Sequence, residues 1–267
     1  NFFDADWLVG QIDQHAPHFW EAIDGAVGRY IGNLDKRLGM ISAQTAISTA
    51  AEISSIQIDI DVEEISSDRY VQNKRPPKTR LVNIKEEVLN NKVSLIEAQM
   101  GFGKSHLARR IAIHFADSTL YKQTEVLPVY STFKTYVDSN LRLEDFIKLQ
   151  VGNVCLNSLN SNGGRVLIIL DGIDEALAAH ESCKTKVDQL IAQVKAQNNW
   201  TLVLTSRPWK ALEELATKEI GIKRYRIRPL SIGKIVSYLR LVFETLKIPN
   251  RLVDDLANSG LFKQLPH

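Results

Sequence analysis

Cysteine is scarce: the 267 residues include two, Cys155 and Cys183, with no CxxC pair and no surrounding Cys/His cluster. A disulfide framework and a structural zinc site are therefore excluded as organising principles, and a reducing, cytoplasmic setting is expected. Long hydrophobic runs are missing too. The longest, Val166–Leu170, falls far short of the ~20 residues of a membrane-spanning helix, and no signal-peptide pattern is visible. Nor is there an excess of one charge. With 33 Lys and Arg against 31 Asp and Glu, nothing pulls the chain toward nucleic acid or anionic lipid, so neither partner is expected. Glycine and proline, 14 and 8 residues, are too few for a low-complexity or collagenous chain. No internal repeat is apparent, which excludes a solenoid. What remains is ordinary globular composition, 44% apolar and 24% charged, long enough for one large domain or two modest ones. The chain opens on Asn1 and stops in mid-pattern at Leu265-Pro266-His267, so a piece of a longer protein is expected.

Residues 1–52 read as helical. Trp20, Ile23, Val27, Tyr30, Ile31, Leu34 and Leu38 form one apolar stripe, and a second helix is expected over 41–52. Ile56, Ile58, Ile60 and Val62 then alternate with Gln57, Asp59 and Asp61, a period of two that predicts a half-exposed strand. The basic, proline-broken stretch Asn73–Lys78 reads as a linker near a domain boundary. Beyond residue 81, short apolar runs at Val93–Ile96, Val126–Tyr130, Val166–Leu170, Leu202–Thr205 and Tyr225–Ile227 alternate with helical stretches such as Val187, Leu190, Ile191 and Val194. Near-continuous apolar strands between amphipathic helices indicate an α/β fold with a parallel sheet covered on both faces. A last helix is predicted after Ser231, a good N-cap, with Ile232, Ile235, Val236, Leu239, Val242 and Leu246 on one side.

The first of these strands runs into Ala98-Gln99-Met100-Gly101-Phe102-Gly103-Lys104-Ser105, and a helix follows. This is GxxxxGK[ST] with Ala98 in place of the first glycine. Glycines are needed where backbone N–H groups turn inward around phosphate oxygens. Lys104 then reaches the β- and γ-phosphates, the Ser105 hydroxyl can ligate Mg2+, and the His106 backbone N–H contacts an α-phosphate. A second motif closes the strand Arg165–Leu170 with Asp171-Gly172-Ile173-Asp174-Glu175. Asp171 at the strand tip can hold Mg2+ beside Ser105, and either Asp174 or Glu175 can polarise a water for attack on the γ-phosphate. A third strand ends in Thr205-Ser206-Arg207-Pro208, which places Arg207 at the crevice end of an open α/β sheet, where a guanidinium can sense the γ-phosphate.

Together the three motifs resemble those of a NACHT domain, a branch of the STAND class of P-loop ATPases, over about residues 65–267. Gly101 and Gly103 match its Walker A loop, Leu167–Glu175 its Walker B motif and Thr205–Pro208 its sensor 1. Tyr70-Val71 matches a pair that commonly lies by the adenine. The resemblance implies a three-layer α/β/α P-loop NTPase with strand order 5-1-4-3-2, Leu127–Tyr130 being the strand inserted between the Walker motifs. It also implies ATP, ADP and Mg2+ as ligands. The nucleotide would switch a closed monomer to a self-associating state in a defence or signalling protein, after an unknown ligand meets a sensor that this sequence lacks. The expected division is an N-terminal segment over 1–64, an NTPase core over 65–230 and the start of a helical domain over 231–267.

Two other readings compete. A ring-forming AAA-type remodelling ATPase would need further arginines, for which Arg240 and Arg251 are the available residues. A nucleotide-locked scaffold that hardly hydrolyses is opposed by the intact Asp171, Asp174 and Glu175. His15 and His18 lack the neighbours that a metal site needs, while Trp200 and Trp209 read as packing residues.

Overall fold

A computed structural model describes residues 30, 31, 33, 34, 60–65, 79–152, 163–177, 183–218 and 221–245. The strands are β1 (Val62–Ile65), β2 (Thr79–Val82), β3 (Val93–Glu97), β4 (Val126–Thr132), β5 (Arg165–Asp171), β6 (Trp200–Ser206) and β7 (Ile222–Ile227). The helices that bear on the site are α1 (Ile84–Asn90), α2 (Lys104–Phe115), α3 (Ser118–Thr124), α4 (Phe133–Ser139), α5 (Leu143–Val151), α6 (Ile173–Leu177), α7 (Cys183–Ala196), α8 (Lys210–Lys218) and α9 (Ile232–Thr245). All strands join one sheet in the order β2-β1-β7-β3-β6-β5-β4. The stretch from β7 to β4 is parallel, whereas β1 runs antiparallel to both β7 and β2. The fold is a three-layer α/β arrangement.

Sequence pattern and burial agree in the middle of the sheet. Every residue of β3 and β6 is buried, as is all of β5 after Arg165, because helices cover both faces. Register puts Tyr130, Thr205 and Tyr225 on one face. That face is covered by α1, whose C-cap Asn91 donates to the Tyr225 hydroxyl at 2.9 Å, and by α2, whose Arg109 bonds Tyr130. Arg224 points the other way and meets Glu213 of α8 at 3.1 Å. Helix starts follow ordinary capping: Asn83, Asp117, Thr132 and Ser231 each accept a backbone N–H at the head of α1, α3, α4 and α9.

The N-terminal margin differs from its sequence pattern. The alternation over 56–62 predicts a strand there, yet Ile60 and Asp61 precede β1, which spans 62–65; residues 56–59 lie outside the described residues. Pairing decides this, since Val62 opposes Ile227 and Ile65 opposes Arg224. The boundary expected between 64 and 65 thus falls inside a strand of the core sheet. Thr79–Val82, which has no apolar alternation, becomes a strand by pairing the free edge of β1. Farther upstream, Ile31 and Leu34 are buried in the same core, and the Tyr30 hydroxyl donates to the Pro128 carbonyl on edge strand β4 at 2.9 Å.

Candidate functional site

The carboxyl ends of β3, β5 and β6 carry the three motifs, at the crevice where open parallel sheets bind ligands. Between β3 and α2 the chain turns through Gly101 and Gly103, at φ 81° and 84°, left-handed conformations that a side chain would strain. A Cβ at Gly103 would also lie 3.3 Å from the Ile60 side chain. Ala98, which replaces the first glycine, is buried, and its φ is not left-handed. Its N–H donates to the Ser206 carbonyl at 3.1 Å, so a methyl group is accommodated where the loop leaves the sheet. Gln99 follows, and Met100 and Phe102 are exposed on the loop. The Lys104 ammonium folds back over the loop and donates to the carbonyls of Ala98 at 3.1 Å and Gln99 at 3.4 Å. No side chain caps α2 at Gly103, which leaves its first N–H groups suited to an anion.

Asp171 lies 7% exposed at the tip of β5. The buried Thr205 hydroxyl donates to its Oδ1 and accepts the Gly172 N–H at 2.9 Å. One hydroxyl therefore ties the Asp171 carboxylate, the turn after it and β6 together. Tyr130 bonds the same carboxylate as well as Arg109; burial first, and the Asp171 charge second, push its phenol up to about 12. The sequence placed Thr205 at the head of the third motif and Tyr130 at the end of a predicted strand, but gave neither a role at Asp171. Gly172, at φ 79°, turns the chain into α6, and the Glu175 side chain lies back across it. Asp174 is held by Arg207 through the Nε at 2.8 Å and the backbone N–H at 3.2 Å.

Beneath the loop, Glu97 is 1% exposed and bonds Arg224 at 2.9 Å. Burial raises its carboxyl above the usual range, and Arg224 opposes that shift.

Met100, Gly101, Gly103, Lys104, Ser105, His106, Gly172, Asp174, Glu175 and Arg207 line one cleft of about 330 Å3. Gly101, Gly103 and His106 also line a second, largely apolar pocket of about 430 Å3, closed by Ile60, Arg228, Pro229, Leu230, Ile235 and Tyr238. His106 stands where the two meet. Its imidazole is held below its ordinary value, by desolvation first and then by Arg110 and Arg109. The sequence does not mark this second pocket, because its walls come from three distant segments. Tyr70 and Val71 lie outside the described residues, as does Arg251; Arg240 is on α9.

Hard oxygen donors, the Ser105 hydroxyl and the buried Asp171 carboxylate, fit Mg2+, which takes few protein ligands when phosphates supply the rest. Among the described residues no group of three or more His, Cys, Asp or Glu is placed to hold a metal by itself. No helix among them is long and apolar enough to cross a membrane.

The family described as NACHT domain matches residues 92–245. None of the curated proteins matches the chain. Similar solved structures include C. elegans PCH-2, at 18% identity over 62% of this chain and 43% of that one, TM-score 0.40. Domain III of the Thermotoga maritima replication initiation protein DnaA is 14% identical over 66% and 71%, TM-score 0.39. The Walker-type ATPase paby2304 of Pyrococcus abyssi is 15% identical over 64% and 59%, TM-score 0.42. This chain thus spans less than two thirds of PCH-2 and of the Pyrococcus protein.

Proposed function

The match covers more than half of the residues, so the chain belongs to the NACHT domain family of P-loop NTPases, and on that premise we propose that it is an ATP-binding, slowly hydrolysing switch. The observation that supports this reading is the adjacency of the two cavities. A phosphate-sized cleft lined by Lys104, Ser105, Glu175 and Arg207 shares Gly101, Gly103 and His106 with an apolar pocket of the size a nucleoside needs.

In this reading the loop from Ala98 to Gly103 and the first turn of α2 wrap the β-phosphate with backbone N–H groups. Lys104 exchanges its loop carbonyls for phosphate oxygens. Ser105 and Asp171 hold Mg2+, which when bound neutralises charge on the phosphates. Glu175, exposed in the cleft, orients the attacking water, and Arg207 meets the charge that gathers on the γ-phosphate. The apolar pocket takes the base between Ile60 and Tyr238, with Tyr70 and Val71 offered as further contacts. The start of a helical domain at 231, a cytoplasmic setting, self-association in the ATP state and a role in defence signalling belong to the same proposal.

Lys104→Ala and Glu175→Gln test it. Calorimetry with ATP and Mg2+ is expected to show lost affinity in the first and kept affinity in the second. Single-turnover hydrolysis is expected to slow by about 10²–10⁴ in Glu175→Gln, the usual cost of losing a positioned base. Unchanged ATP affinity in Lys104→Ala would remove the loop as the site.

A further inference from the structure

Asp174 and Glu175 are neighbours on α6, and sequence alone leaves both as candidates to orient water. Their surroundings separate them. Both carboxylate oxygens of Asp174 are taken by one residue: Oδ1 accepts the Arg207 backbone N–H at 3.2 Å and Oδ2 the Arg207 Nε at 2.8 Å. The backbone contact fixes where the Arg207 side chain starts, and the Nε contact fixes the plane of its guanidinium. Because the grip uses the Nε edge, Nη1 and Nη2 keep no partner among the described residues and remain beside the cleft that Lys104 and Ser105 line. Pro208 follows and stiffens the chain beyond the pair. The Arg207 side chain is 50% exposed, and ion pairs so wet add little to stability. Fold maintenance therefore does not account for a two-point contact of this kind. Glu175 has no hydrogen bond or ion pair among the described residues and lies over Gly172 in the same cleft.

We propose that Asp174 is a positioning residue: it aims the free edge of the Arg207 guanidinium at a terminal phosphate, and Glu175 alone serves as base. This assignment rests on the nucleotide reading above and specifies how that site tells a triphosphate from a diphosphate. Both oxygens of Asp174 are committed to Arg207, whereas Glu175 has no such partner among the described residues. A diphosphate offers the guanidinium nothing at that distance.

The test titrates the full chain, in Mg2+, with ADP and with a non-hydrolysable ATP analogue. The variants are Asp174→Asn, Arg207→Ala, the double variant, Arg207→Lys and Glu175→Gln. An amide at 174 can accept only one of the two Arg207 donors and turns its own N–H donors toward the other, so Asp174→Asn is expected to weaken the analogue about tenfold or more. ADP affinity stays as in the wild type, which also reports that the variant is folded. Arg207→Ala behaves alike, the double variant loses no more than either single one, and Arg207→Lys loses the preference because it lacks the fork. Glu175→Gln keeps the preference and loses hydrolysis. Analogue affinity kept or raised in Asp174→Asn, additive losses in the double variant, or a preference kept by Arg207→Lys would each overturn the assignment. A wild type that binds neither nucleotide overturns the nucleotide reading, and this assignment with it.

Discussion

The two ends of the cleft are built differently: the proposed phosphate end stands on the dry middle of the sheet, whereas the proposed base end stands on a margin tied by charge. Asp171, Thr205 and Ala98 are each less than one tenth exposed; Thr205 bonds Asp171, and Ala98 bonds the Ser206 carbonyl of the same strand β6. At the other end, Ile60 and Arg228 lie just beyond the antiparallel pair β1–β7, a margin that carries partly exposed ion pairs. Lys223 meets Glu64 at 2.6 Å, Lys234 meets Asp61 at 2.7 Å, and Arg226 and Arg228 approach Glu63 at 3.8 Å. Buried bonds keep their geometry in any salt, while wet ion pairs are weak and screened. The construction therefore gives the proposed phosphate end rigidity and leaves the proposed base end adjustable.

The largest expected effect comes from the middle. Thr205→Val keeps the shape but strands the Gly172 N–H and removes a donor to Asp171. Each buried group left short costs about 1–3 kcal/mol, and chemical denaturation should show this loss equally at low and high salt. Magnesium-dependent hydrolysis should fall with it. A loss that disappears in salt would erase the distinction between the two ends.

A smaller effect is expected at the pocket. Tyr238→Ala removes an aromatic wall and should weaken nucleotide by about 1 kcal/mol, while inorganic triphosphate, which never reaches that wall, binds as before. Equal loss for both ligands in calorimetry would mean that Tyr238 supports the phosphate end instead.

The smallest effect belongs to the β1–β7 margin at Glu64, and its pH dependence runs opposite to that of the buried Glu97. Hydrogen bonding to Lys223 first, and to Arg80 as well, holds the Glu64 carboxyl below the usual range. Its contribution is present above the ordinary carboxylate value and lost as pH falls through the lowered one. Glu97 is raised by burial, so its charge is a cost to the fold that acid removes: stability gains as pH falls from above the raised value to the ordinary one. Denaturation of Glu64→Gln against wild type should differ by under about 1 kcal/mol at neutral pH in low salt, and by nothing in high salt or acid. For Glu97→Gln the difference from wild type should change with pH in the opposite sense. Parallel pH profiles for the two variants would sink the contrast.

Much of the middle was legible in the sequence. Val93–Ile96, Val166–Leu170 and Leu202–Thr205 are apolar because both sides of those strands are covered, and such runs announce themselves without knowledge of their neighbours. Ser231 marked the start of α9 for an equally local reason. The margin resisted. Ile56 to Val62 alternate as a strand would, yet pairing with β7 sets the ladder at Val62–Ile65. Thr79–Val82 carries no strand pattern because only one of its edges meets the sheet. The pocket walls at Ile60, Leu230 and Tyr238 are packing neighbours that no periodicity connects.

The sequence by itself determined the alternation of strands and helices, the left-handed turns at Gly101 and Gly103, and the supply of Lys104, Ser105, Asp171, Glu175 and Arg207 at strand ends. Those features depend on residues a few positions apart, where backbone sterics and burial period act directly. Only the tertiary structure decided that Thr205 locks Asp171 and that Asp174 grips Arg207 rather than facing the cleft free as Glu175 does. Those partners are 34 and 33 residues apart. Their meeting follows from β5 and β6 lying side by side with their carboxyl ends level, an outcome of packing the whole sheet that no local stretch encodes.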